Sequence, residues 1–422
     1  MQDRQDQLSN LRFWQNGAIF LAACVILVTR RPDALFHAQF FAEDGKVWFA
    51  DNYNLGWWQA LLQPHTGYFQ TLPRLGAAIS LLVPFAIAPL VLNLIAFVVQ
   101  ALPVNLLLSS RSAGWGSLGS RALFAFIYLA LPNSAEISFG ITFSQWLLAL
   151  SAFLLLVATT PRSVAGRLFD LSILLLSGLS GPFCIFLTPI AMFLALNRRE
   201  RWRWVPAGVL TVSSLVQVLG LLVLNPSIRP HYDLGANPAS FARVLAGQVY
   251  LGALIGSNGL AYYPSPRLSL FLYCVAIGGT ALVVVCSVKS ALEIRLFLLF
   301  SAVLMAVSLI SPVIRAREGV TVWDLMAGAS GIHYWFFPTL AFAWSLLWCF
   351  KSRITVLKIV SAYLCFFMCL GVIRDWRQPA FQDMHFAEYA KSFEAAPAET
   401  TVTIPENPDG WTMVLLKHTS KR

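Results

Sequence analysis

Charge is what this sequence has little of. Asp, Glu, Lys and Arg make up 12% of its 422 residues while 57% are hydrophobic, and an ordinary soluble domain carries about twice that charged share. The surface of a water-soluble fold is thereby excluded. Paired cysteines are also missing. The seven cysteines (Cys24, Cys184, Cys274, Cys286, Cys349, Cys365, Cys369) lie in or beside apolar runs and none forms a CxxC, so they read as small apolar side chains rather than metal ligands or disulfides. There is no HExxH, no GxSxG elbow, no Walker loop and no DxD pair, which removes the commonest zinc, serine and nucleotide signatures. Tandem repeats and low-complexity tracts are absent too.

What is present is a series of apolar runs, near 13–29, 71–83, 88–109, 121–132, 143–158, 168–181, 183–197, 205–224, 268–288, 296–313, 335–350 and 356–373. Continuous runs of this length predict an all-α polytopic membrane protein in a lipid bilayer, not the short alternating segments of a β-barrel. The first run is no signal peptide, since Arg30-Arg31 follow it without a small-residue cleavage site. The string LAAC at 21–24 resembles a lipoprotein site, but the apolar run continues past Cys24.

The net charge of +10 would point to nucleic acid in a soluble protein. Here it follows from basic loops held on the cytoplasmic side, and no nucleic acid partner is expected. Arg162 with Arg167, RRERWR at 198–203, Lys289 with Arg295, and KSRITVLK at 351–358 all read as cytoplasmic, as does the N-terminus. That places 30–70, 133–145, 225–266, 314–334 and the tail 374–422 outside. Twelve crossings cannot start inside and end outside, so one run between 71 and 132 must fall short. About 11 transmembrane helices are expected, with 13 if 244–260 also inserts. The division is a transmembrane domain over 1–373, with long outward loops at 30–70 and 225–266, and a small outward segment over 374–422. The first loop is rich in Trp, Phe and Tyr and predicts interfacial helices. Alternation in TVTIPENPDGWTMVLLKH predicts a small strand pair.

Charges near membrane depth tend to be paired or functional. Outward acids are few (Glu43, Asp44, Asp51, Glu136, Asp233, Glu318, Asp324) and outward bases more numerous. This mix suits a site where a carboxylate takes a proton from a hydroxyl and cations hold a phosphate. Glu43 and Asp44 could also cap a helix starting at Gly45 or form a D-G turn, or supply oxygen ligands to Mg²⁺ or Mn²⁺, which the sequence does not require. Arg74 could meet a lipid phosphate or snorkel as an interface anchor. Arg229, His231 and Arg243 are phosphate candidates in the second long loop, with solvated loop residues as the alternative. Glu136 lacks a basic partner nearby in sequence, and Gln145-Trp146 could bind a sugar or sit at the interface.

AEDGKVWFADN (42–52) and PHTGYFQTLPRLGAAIS (64–80), an acid in the first outward loop directly after the first membrane helix, resemble the GT-C superfamily of membrane glycosyltransferases. LPNSAEISFGITFSQW (131–146), LSGPFCIFLTP (179–189), SGIHYWFFP (330–338) and IPENPDGWTM (404–413) are similar to segments of uncharacterised bacterial proteins of that type. The resemblance implies inverting transfer of a sugar from a polyprenyl-phosphate donor to a glycan, a lipid-linked oligosaccharide or a protein of the cell envelope. It places the protein in the inner (plasma) membrane with the site facing the periplasm or exterior. It makes Asp44, or Glu43, the general base; Asp44 is preferred because Gly45 leaves its side open. Donor phosphate ligands would be Arg74, Arg229, His231, Arg243 and His333, the last standing where Arg is expected. Glu136, Tyr68, Gln145 and Trp146 would contact acceptor or sugar. A transporter or flippase of lipid-linked saccharides and an O-antigen-type polymerase are the alternatives.

Overall fold

The computed structural model describes residues 2–138, 140–224, 232–260, 269–314, 319–328 and 330–418. Apart from one hairpin, their regular structure is helical. Six helical stretches have the length and composition to cross a bilayer: Phe85–Leu108, Arg201–Leu224, Pro238–Ser257, Leu270–Lys289, Leu292–Ile310 and Thr355–Arg374. Shorter apolar helices accompany them at Trp14–Arg30, Leu118–Leu129, Ile141–Val157 and Phe183–Arg198. This is an all-α multi-pass membrane protein. In the apolar windows of Leu270–Lys289 and Thr355–Arg374, only 17% and 22% of residues are buried in the protein. Their remaining apolar surface needs lipid to cover it.

The bundle is centred on two helices. Every residue of Ser144–Val157 is buried, as are nearly all of Phe336–Phe350. Rings fill the space between: Trp115 lies 5.2 Å from Trp344 and Phe297 lies 4.6 Å from Trp344, centroid to centroid. The Trp344 indole N–H finds its partner in the Phe124 carbonyl at 3.0 Å, as a buried indole requires.

The arginines expected to mark the cytoplasmic side have a second use. Arg198 donates to Val157 O at 2.9 Å, and Arg203 to Leu156 O and Ala158 O at 2.9 and 3.0 Å. These are the orphan carbonyls at the end of the central helix, where cations are favoured. At the other end of the bundle, buried Arg30 binds Leu129 O and Leu131 O.

Of the runs between 71 and 132, where one was expected to fall short, 71–83 forms only the ten-residue helix Thr71–Ser80, about 15 Å long, half of a bilayer core. Within 225–266, where Pro, Gly and Asn signal loops and broken helices, residues 238–260 form a helical run interrupted at Gly256. Both ends of that run are tied to the same end of the bundle. Ser240 bonds Asp324, Gln248 bonds Ala327 O, and Ser257 N–H donates to Asp375 just past Thr355–Arg374.

Over the end of the bundle that carries Arg30 lies a roof. The first loop folds into short helices Asp33–Phe36, Asp44–Phe49, Ala50–Leu55 and Trp57–Leu61, with Trp57 and Trp58 exposed. The tail hairpin pairs β1 (Thr401–Glu406) antiparallel to β2 (Trp411–Leu416), Glu406 opposite Trp411. Its inner face, Ile404, Met413 and Leu415, packs with Phe40, Trp48, Phe49, Phe386 and Phe393 into a second core. Ala42 N–H donates to Asn407 O at 2.5 Å and Asn407 N–H to Phe40 O at 3.2 Å, so the tail is stitched to the loop that carries Glu43 and Asp44.

Candidate active site

Between roof and bundle lies a cavity of about 300 Å³. The turn Phe41–Glu43 and Trp48 form one wall, and His65, Thr66, Tyr68 and Gln70 a second. Glu136, Thr142, Phe143, Gln145 and Trp146 form the floor, and His333 and Tyr334 close the far side. Pro408 and Trp411 enter from the tail. Phe186, Leu304, Val307 and Phe337 make a mainly apolar flank, with Ser308 and Ser311 beside them and Val307 exposed at the bundle surface.

The adjacent acids part company here. Glu43 lines the cavity, and burial raises its carboxyl above the ordinary value. Asp44 is 1% exposed and lies outside the cavity lining. Its Oδ1 accepts Thr142 N–H at 3.0 Å and the Thr142 hydroxyl at 2.6 Å. That hydroxyl in turn accepts the Trp48 indole N–H at 2.9 Å. Burial pushes the Asp44 carboxyl up to about 7 against those hydrogen bonds, and the charge of Glu43 adds to the rise. Neither acid caps a helix: the Glu43 position makes no side-chain cap bond. The preference for Asp44 as base rested on open space at Gly45, and that space is filled. A methyl group on Gly45 would collide with Glu406 Oε2.

Glu136 and His333, 197 positions apart, meet in the cavity. His333 N–H donates to Glu136 Oε2 at 2.9 Å. His333 Nδ1 lies 3.1 Å from Oε1. Burial would raise the Glu136 carboxyl, but the facing His333 ring and backbone N–H outweigh it and hold the group below its ordinary value. The His333 ring packs between Phe143, Trp146 and Tyr334, at 5.2, 4.9 and 4.2 Å. Tyr68, Gln145 and Trp146, the candidates for contact with acceptor or sugar, also line the cavity.

Arg74 and Arg243 lie elsewhere. Arg74 pairs with Asp51 at 2.9 Å and stacks 5.2 Å from the Trp48 ring centroid, behind the wall. Arg243 pairs with Asp324 at 3.0 Å, half-exposed and away from the cavity. Arg229 and His231 fall outside the described residues. Among the described residues no Lys or Arg lines the cavity. The imidazole His65 does, but burial, reinforced by the charge of Arg74, pushes it down to about 4, so it is neutral at pH 7. No group of three described His, Cys, Asp or Glu side chains converges as metal ligands. With Asp44 turned to Thr142, the pair Glu43–Asp44 does not fit a shared Mg²⁺ or Mn²⁺.

The sequence pointed to no role for Gln70, Thr142, Glu406 or Trp411. Their signals were present: all four lie inside the segments that carry the resemblance, and PENPDGW has the turn-forming residues that fold Glu406 and Trp411 back to the first loop. No family model matches the chain, and no curated protein matches it.

Proposed function

We propose that the chain is a GT-C-type membrane glycosyltransferase. It moves a sugar from a polyprenyl-phosphate donor to a cell-envelope acceptor at the roofed end, facing outward, with Glu43 as general base. The observation that carries this reading is a cavity with two unlike flanks: an acid-lined polar side holding Glu43 and the Glu136–His333 pair, and an apolar side of Phe186, Leu304, Val307 and Phe337. One flank suits hydroxyls and the other a lipid chain.

The chemistry runs as follows. Glu43 takes the proton of the acceptor hydroxyl, whose oxygen attacks the anomeric carbon from the face opposite the phosphate. The carbon–phosphate oxygen bond breaks through an oxocarbenium-like state, the configuration inverts, and polyprenyl phosphate leaves along the apolar flank. A raised carboxyl is the better proton acceptor near neutral pH. His333, braced by Glu136, is the described side chain that can donate a ring N–H to the departing phosphate.

Eleven crossings belong to this reading. Setting aside Thr71–Ser80 and the roof-tied Pro238–Ser257, the crossings are Trp14–Arg30, Phe85–Leu108, Leu118–Leu129, Ile141–Val157, Val164–Gly178, Phe183–Arg198, Arg201–Leu224, Leu270–Lys289, Leu292–Ile310, Phe336–Phe350 and Thr355–Arg374. An odd number puts the two termini on opposite sides, and the basic loops put the N-terminus on the inner side and the roof on the outer.

The test is reconstitution of the full chain in liposomes with a panel of polyprenyl-phosphate monosaccharides, following release of polyprenyl phosphate. Wild type releases it; Glu43→Gln does not. Equal release by both would overturn Glu43 as base, and no release from any donor would overturn the class.

A further inference from the structure

The two ends of the bundle present cavities of opposite charge. The roofed cavity is lined by acids, and among the described residues by no Lys or Arg. A second cavity, of about 380 Å³, opens at the other end, and the charged side chains in its lining are Lys351 and Arg353. Phe336–Phe350 joins the two: it starts next to His333 under the roof and ends at Lys351, about 22 Å further along the helix. Lys351 and Arg353 are exposed, and neither makes an ion pair among the described residues. Other cations of that end are already engaged. Arg111 holds Asp170, Arg198 holds Glu293, and Arg121 donates to Leu107 O and Ser109 O.

The Lys351 ammonium is held in position. It donates to Ser120 Oγ at 2.7 Å, in the first turn of Leu118–Leu129, and keeps two further N–H donors for a ligand. Leu292–Ile310 starts at Ala291, which belongs to the lining and supplies no side-chain cap, so the positive end of that helix adds to the two cations. Much of the remaining lining is apolar: Ile294, Leu347, Trp348 and Leu123, the last 41% exposed on the outside of the bundle. A soluble anion gains nothing from such a wall. A lipid uses both halves, its phosphate meeting the cations and its chain covering the apolar surface.

We propose that this cavity binds the phosphate headgroup of an anionic membrane lipid, on the side of the bilayer away from the roof. Lys351 and Arg353 hold the phosphate, Ser120 positions the ammonium, and an acyl chain lies against Leu123 and Trp348. This is narrower than the general attraction of basic loops to a negative membrane surface. Lys358, exposed in the first turn of Thr355–Arg374, would serve that attraction equally well, yet it lies outside the lining. The lipid site stands whether or not the roofed cavity transfers a sugar.

The experiment uses the full chain in a neutral detergent, with phosphatidylglycerol, phosphatidylcholine or inorganic phosphate added. Native mass spectrometry reads the lipid retained, and thermal melts read the stabilisation that binding brings. Wild type should retain phosphatidylglycerol more tightly than phosphatidylcholine and melt at a higher temperature with it. Lys351→Gln and Arg353→Gln should each weaken retention about fivefold, and the double variant about 25-fold, the effect of one and two basic residues on an anionic lipid. Lys358→Gln should leave retention unchanged. Ser120→Glu preserves the helix start, because Ser117 three positions earlier is its N-cap and the pair completes a capping box; it sets a carboxylate beside Lys351 and should abolish retention. Lipid-free melts close to wild type separate loss of the site from loss of the fold. Wild type that retains both lipids equally, a double variant that holds phosphatidylglycerol like wild type, or an equal loss in Lys358→Gln would each overturn the proposal. So would inorganic phosphate that raises the melting temperature as far as the lipid does, since the occupant would then be a soluble anion.

Discussion

The cavity is walled by two regions that hold their shape by different means. The bundle is a ring-packed interior in which Trp115 lies 6.4 and 5.2 Å, and Phe297 5.4 and 4.6 Å, from Phe153 and Trp344, and its buried arginines are spent on helix-end carbonyls. The roof has a small apolar core and buries carboxyl groups beside it: Asp44 at 1% and Glu406 at 2% exposed. Bundle stability should therefore follow volume and be indifferent to pH, whereas roof stability should follow protonation. The difference also explains how neighbouring acids come to have separate jobs. Asp44 is a structural strut of the roof, and Glu43 faces what the roof covers.

That contrast is broken or kept most sharply at positions 43 and 44. Glu43→Gln should lower transfer about 10²–10⁴-fold, the usual worth of a positioned general base, with an unchanged melting temperature. Asp44→Asn should leave transfer close to wild type, since an amide oxygen can still accept from Thr142, and should cost stability of about 1–2 kcal/mol. The reverse pattern in paired rate and melting measurements would return the base to Asp44.

Next in size is the joint between roof and bundle. Asp375 Oδ2 accepts Asn133 N–H at 2.7 Å, Ser257 N–H at 2.8 Å and the Ser257 hydroxyl at 3.1 Å, while Arg30 holds its carbonyl. Asp375→Ala strands those donors in a buried place and should cost about 3 kcal/mol, read as a lower denaturation midpoint. A change near zero would mean water already serves these donors.

Much of this was legible beforehand. Composition fixed the class of protein, since long apolar runs have few other uses. The short helices of the first loop and the tail hairpin followed from aromatic content and alternation. Glu43, Glu136, Tyr68, Gln145, Trp146 and His333 were picked out from the sequence and do line one cavity. What local sequence cannot carry is which way a side chain faces. Gly45 read as empty space because nothing in 40–50 reveals that Glu406 arrives there from the tail. Arg74 and Arg243 read as free cations because their partners Asp51 and Asp324 lie 23 and 81 positions away. The basic loops showed that one run between 71 and 132 falls short, but not which, because apolar composition does not say where a helix stops.

The protonation side of the contrast is tested at Glu406. Both its oxygens are buried without a partner. Burial, reinforced by the charge of Asp44, pushes its carboxyl up to about 9 from an ordinary 4.5. A raised carboxyl means the folded roof prefers the neutral acid. Its contribution is complete below about pH 4.5 and drains away as pH rises toward 9. Glu406→Gln should flatten that slope and stabilise roof docking at pH 8 by roughly 2 kcal/mol. The measurement is the rate of protease clipping in the tail across pH. A wild-type rate that does not rise with pH would show that the roof does not titrate.

The smallest effect is expected at Arg243, and it bears on the donor site. With both side chains about half exposed, the pair with Asp324 should be worth no more than about 0.5 kcal/mol and weaken with salt. Arg243→Ala should therefore leave stability and the donor KM almost unchanged, whereas His333→Ala, which removes a cavity wall, should raise the donor KM. Arg243 shares its end of the bundle with the cavity but not its lining, so proximity alone gives it no hold on a phosphate there. A tenfold rise in donor KM in Arg243→Ala, with stability intact, would mean that the lipid phosphate sits outside the cavity beside Asp324. The donor would then approach along the Pro238–Ser257 run instead of the apolar flank of Phe186 and Leu304.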